Sequence, residues 1–103
     1  MLVSLASILI LVGITFQGLL LKQNFKEYDK LQKEKLNLAS ELSYWQQLVK
    51  EYEDYRDAYF RIASLQFTLG KTDEAKKSLE KVLSLDPNFE EGRVLGVKMR
   101  VSN

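Results

Sequence analysis

Chemistry in this sequence would have to come from Tyr, Lys, Asp, Glu and Arg, and among these the carboxylates Glu51, Glu53, Asp54 and Asp57 fall close together. Such a group could act as an acid–base pair or hold a hard cation such as calcium. The rest of the chain completes neither chemistry. It has no histidine and no cysteine, so the usual general base, the thiol nucleophile and two common metal ligands are missing. No glycine-rich phosphate loop or nucleotide motif occurs. Disulfides are impossible, and cysteine usage therefore carries no information about redox compartment. Helix capping and a solvated face account for the four carboxylates. The expectation is a chain that is not an enzyme and takes no metal or cofactor. Basic and acidic residues nearly balance, 15 against 14, which leaves no electrostatic footprint for nucleic acid.

The elements that would position any site come from a break in composition. Residues 1–21, MLVSLASILILVGITFQGLLL, carry no charge, and every charged side chain lies in residues 22–103. As a helix this run reaches roughly 30 Å, about the thickness of a bilayer's hydrocarbon core. Ser4, Ser7 and Thr15 can return their hydroxyls to backbone carbonyls. Gln17 is the one costly side chain, and it sits near the interface. Lys22 follows where a snorkelling lysine is expected. A cleaved signal peptide would have a basic start, a shorter apolar run and a small-residue cleavage site, and a buried soluble helix is rarely apolar all round at this length. Filament-forming pilins usually carry a glutamate at the fifth mature position, where this chain has Leu5. Gly13 and Gly18 are five apart, so close packing of two spans through Gly-x-x-x-Gly is not indicated. The reading is a single transmembrane helix over 1–21.

Beyond it a heptad can be laid down. The a positions are Leu21, Tyr28, Lys35, Leu42 and Val49; the d positions are Asn24, Leu31, Leu38, Trp45 and Tyr52. No proline or glycine interrupts residues 19–69, so one helix could continue out of the span. Residues 22–39 read as a coiled-coil stalk with its seam at Tyr28, Leu31, Leu38 and Leu42. The sequence offers no segment of its own to cover Tyr28, Leu31 and Leu38. A second copy or another protein's helix, paired through residues 22–52, would cover them. For residues 40–52 the favoured reading is packing within a C-terminal head, residues 40–103.

Residues 56–89, RDAYFRIASLQFTLGKTDEAKKSLEKVLSLDPNF, hold Tyr59, Ile62, Ala63, Gly70, Ala75, Leu79, Leu83 and Pro87 at the sites of a two-helix pattern. Small Ala63 and Ala75 let two helices approach closely. Gly70 can take the left-handed conformation that ends the first. Pro87 stops the second, and Asn88-x-x-Glu91 looks like a capping-box start for another. This spacing resembles one full tetratricopeptide repeat, most specifically in Gly70-Lys71-Thr72-Asp73-Glu74-Ala75 and Leu85-Asp86-Pro87-Asn88. Gln66 replaces the usual aromatic and Val82 the usual small residue, so a looser crossing is expected there. A shift of 34 residues makes residues 40–52 the second helix of a degenerate preceding repeat, with Trp45 at the place of Leu79. The same shift makes residues 89–100 the first helix of a following one. Glu53 stands where the proline would be, so an unclean break is expected there.

The fold class expected is therefore all-α: a transmembrane helix continuing into a coiled-coil stalk, then a small tetratricopeptide-like head with a capping helix. The resemblance implies a protein-interaction scaffold or adaptor. Carried onto this chain, the family's groove lining falls on Asp57, Phe60, Arg61, Ser64, Phe67 and Thr68; Phe60 and Phe67 could instead pack on the 40–52 helix. One span followed directly by a coiled coil also resembles, in architecture, small bacterial septum-formation initiator proteins, and implies a structural part in a division or envelope complex. Lys22, Lys26, Lys30, Lys33 and Lys35 follow the span, so the positive-inside rule places the head in the cytoplasm. Basic residues upstream of Met1 would reverse this and leave the head extracytoplasmic. The uncharged run makes a direct prediction: the full chain stays in the membrane pellet after carbonate extraction, and its release would remove the span.

Overall fold

The computed structural model describes the backbone of residues 2–102 and the side chains of residues 5–102. The Ser4 hydroxyl lies outside that description. Among the described residues all regular structure is α-helical: α1 is Leu2–Glu51, α2 Arg56–Thr68, α3 Thr72–Leu85 and α4 Glu90–Val101. The chain divides into two compact units, Met1–Glu34 and Lys35–Asn103, and α1 contributes residues to both.

The first unit is one helix with apolar side chains on every face. Leu9 is 72% exposed, and the other large apolar residues from Leu5 to Leu21 are exposed too. The Thr15 hydroxyl donates to the carbonyls of Leu11 and Val12 at 3.0 and 2.9 Å, hiding one polar group among hydrocarbon side chains. The helix is long and apolar enough to cross a membrane, by length and composition. Phe25, Tyr28 and Leu31 are exposed as well.

The second unit is a stack of helices with two apolar cores, one on each side of α2. On one side Leu38, Leu42, Trp45 and Val49 of α1 pack with Ile62 and Leu65 of α2. On the other, Ala63 meets Ala75, Leu79 and Val82 of α3, with Leu95 and Met99 of α4 closing the cluster. Ala63 and Ala75 are both fully buried, because two methyl-sized side chains leave room for backbones to approach closely. Leu38 is thus half-covered within the chain, by α2, where the heptad implied an outside partner. Leu42 is buried in the same cluster.

The crossing of α2 and α3 is filled at the two sites where the sequence departs from the repeat pattern. Val82 is fully buried, and buried Gln66 accepts a 2.6 Å hydrogen bond from the Ser78 hydroxyl. That bond satisfies an amide oxygen that would otherwise be costly to bury. The looser crossing expected there does not occur.

The turns repeat. α1 ends at Glu51 and α3 at Leu85; α2 begins at Arg56 and α4 at Glu90. Each turn carries the same hydrogen bond, Tyr55 N to Tyr52 O at 3.3 Å and Phe89 N to Asp86 O at 3.2 Å. The chain therefore breaks cleanly at Glu53 without a proline. Acidic residues are unfavourable at a helix C-terminus and favourable at the next N-terminus. The run Glu51, Glu53, Asp54, Asp57 therefore acts against continuation of α1 and in favour of a fresh start at α2.

Between α2 and α3, Gly70 has φ +80°. Its N–H donates to Phe67 O at 3.1 Å, and that of Lys71 to Gln66 O at 2.8 Å, the paired bonds of a Schellman stop. The capping box expected at Asn88 and Glu91 does not form. Phe89 is the N-cap residue, without a side-chain cap, and the Asn88 N–H turns back to Asp86 Oδ1 at 3.3 Å. Phe89 is held there by its ring, which packs on α2.

The Ala63–Ala75 contact makes a prediction. Ala75→Trp overpacks a fully buried site, a change that typically costs about 1–3 kcal/mol. The thermal midpoint of the full chain in detergent, followed by the fluorescence of its single tryptophan, Trp45, should fall clearly. An unchanged midpoint would contradict the packing described here.

Candidate protein-binding surface

The groove of the second unit lies between α2 and α4. Phe60 and Ser64 line one wall, and Glu90, Glu91, Val94, Leu95 and Lys98 the other, around a volume of about 440 Å³. That is within the usual range of a ligand cleft. Phe60 is fixed from behind by Phe89, with ring centres 5.1 Å apart and edge to face. Arg56 in turn lies 4.1 Å over the Phe89 ring. Its guanidinium donates to Asp57 Oδ1 at 3.0 and 2.6 Å and to Asp86 Oδ2 at 2.7 Å. One arginine therefore ties the start of α2 to the end of α3 and the start of α4. These bonds, first to Asp57 and then to Asp86, hold its pKa above the ordinary arginine value, so it stays charged.

The six lining residues expected from the sequence are dispersed by the fold. Phe60 and Ser64 face the groove. Asp57 is engaged by Arg56. Arg61 points the other way and donates to Glu41 Oε1 of α1 at 2.7 Å. Phe67 packs against the α3–α4 core, and the exposed Thr68 hydroxyl returns to Ser64 O at 2.9 Å. Neither Phe60 nor Phe67 belongs to the cluster that α1 makes with α2; both sit on the opposite face. The second wall was missed, although its signal was present. A 34-residue shift carries Asp57, Phe60, Arg61 and Ser64 onto Glu91, Val94, Leu95 and Lys98, and all four line the groove. The stalk residues Tyr28 and Leu31 lie in the first unit and are exposed at 60% and 57%.

The carboxylates Glu51, Glu53, Asp54 and Asp57 form no converging cluster among the described residues. Glu51, Glu53 and Asp54 are exposed beside Tyr52 and Tyr55, and Asp57 is in its ion pair.

A family model for the tetratricopeptide repeat matches residues 57–89, which supports the resemblance for that segment. Repeats of this class are typically non-catalytic modules that bind other proteins. No curated protein and no solved structure matches the chain.

The contact between Glu41 and Arg61 gives a pH dependence. Hydrogen bonds from Arg61, and then from the Trp45 indole, hold the Glu41 carboxyl below its ordinary 4.5. A folded-state value below the unfolded one means stability present above the unfolded value and lost as pH falls through the folded one. The pair is open to solvent, so the effect is small. Glu41→Gln should flatten part of the fall in thermal midpoint below about pH 4.5. A variant whose acid sensitivity equals that of the parent would remove this pair from the account.

Proposed function

We propose that this chain is a membrane-anchored interaction protein, with residues 1–21 as its span, residues 22–39 as a coiled-coil stalk and residues 40–103 as a partner-binding head. The observation that carries the reading is the groove between α2 and α4, built from equivalent positions of two successive first helices around a matched repeat. Its apolar lining, Phe60 on one wall and Val94 and Leu95 on the other, fits an apolar side chain. Glu90 and Glu91 at one end and Lys98 toward the other fit a segment that carries both a basic and an acidic group. The stalk reading rests on the exposed Tyr28 and Leu31, which pair with a second copy or with a helix of another protein. The lysines after residue 21 support a cytoplasmic head by the positive-inside rule.

The test uses the full chain, solubilised from membranes in detergent, as bait. Val94→Asp changes an exposed groove residue and should abolish capture of a partner while leaving the Trp45-monitored melting unchanged. Capture that survives this change would overturn the groove as the binding site. Protease added outside sealed, inward-facing-cytoplasm vesicles should spare a C-terminal tag; loss of the tag without lysis would move the head to the other side.

A further inference from the structure

The repeat register exposes two faces that match each other, and they are not the groove. In α3, Leu79 and Leu83 face forward and their methyl groups touch the positions of Gly92 and Gly96 in α4. Ser78 and Val82 face back onto α2. Thirty-four residues earlier, Trp45 and Val49 of α1 also face forward, onto Ile62 and Leu65 of α2. The counterparts of Ser78 and Val82 are Tyr44 and Leu48. Tyr44 is 60% exposed and Tyr52, further along the same ridge, 58%. Two shallow hollows of about 570 and 180 Å³ lie along it. This is the place at which the first helix of a repeat packs on its second.

The opposite lack occurs on α4. In α2, Ala63, Gln66 and Phe67 face α3. Their counterparts on α4 are Val97, Arg100 and Val101. Val97 is 50% and Val101 81% exposed, and no described helix covers them. So α1 presents a second-helix face without a first helix, and α4 a first-helix face without a second.

We infer that α4 of one copy docks on the α1 ridge of a second copy and completes a composite repeat between the two chains. The complete repeat fixes the register. The Gln66–Ser78 contact, 2.6 Å within the chain, maps onto Arg100 of one copy and Tyr44 of the next. The Arg56–Asp86 contact, 2.7 Å, maps onto Glu90 and Tyr52. The two docking faces differ and lie at opposite ends of the helix stack, so the contact is heterologous and extends head to tail into a row. It leaves the apolar groove residues Phe60, Val94 and Leu95 and the exposed Tyr28 and Leu31 free.

The chain has no cysteine, which allows a clean test. Full-length Arg100→Cys and Tyr44→Cys proteins, both altered at exposed positions, are mixed in detergent under mild oxidation. The mixture should give a disulfide-linked dimer, and neither protein alone should give one. Glu90→Cys mixed with Tyr52→Cys should do the same, and a chain carrying both Arg100→Cys and Tyr44→Cys should give a ladder of higher species. Val97→Asp, added to the Arg100→Cys chain, should abolish the cross-link. Cross-linking of Arg100→Cys with itself would replace the composite repeat by a symmetric α4 contact. No cross-link in either mixture would overturn the proposal, and it would leave partner capture at the groove unaffected.

Discussion

The second unit depends on one close approach, Ala63 against Ala75. Because neither side chain extends beyond a methyl group, α2 and α3 come near enough for Leu79, Val82 and Gln66 to be enclosed in one layer. The interior left by that approach admits little beyond carbon, and the one polar exception, Gln66, is matched by Ser78. A larger residue at either alanine would separate the helices and open every contact built on them.

From that pair the structure grows in both directions by the same rule. α2 has a second apolar face, Ile62 and Leu65, and takes up α1 there; α3 has a second face, Leu79 and Leu83, and takes up α4 through two glycines. Gly92 and Gly96 sit against the ends of these leucines, where an added Cβ would stand 3.2 to 3.5 Å from its neighbours. Each helix is thus an adhesive layer between two others, which is why such units are stable only in stacks. The groove is a by-product of this geometry. Successive first helices, α2 and α4, lie side by side with α3 behind them, and Phe60, braced by Phe89 and Arg56, is left at the rim.

The first unit follows a different physical rule. Its helix satisfies its backbone internally and places hydrocarbon outward on all sides, an arrangement that is costly in water and natural in lipid. Thr15 bonds back into the helix for the same reason. The charges begin at Lys22, and Phe25 and Tyr28 follow just beyond it. The heptad pattern crosses from one unit into the other, yet its members have different fates: Tyr28 and Leu31 remain open, while Leu42, Trp45 and Val49 are used up inside the helix stack.

The sequence by itself determined the all-helical class, the uncharged run, the repeat and its stops. Each of these is written in local chemistry: the absence of charge over 21 residues, small residues at the crossing, and a glycine whose positive φ ends α2. Half of the groove was also legible, in Phe60 and Ser64. Only the tertiary structure decided which face each side chain joined. Arg61 was diverted to Glu41, Phe67 to the α3–α4 core and Leu38 to α2, because a helix of this length has apolar residues on two faces and periodicity alone does not say which neighbour covers which. The clean break at Glu53 has both a local and a tertiary cause. No glycine or proline marks it; the acidic run disfavours continuation of α1, and the turn is held by Trp45 and Val49 packing with Ile62 and Leu65.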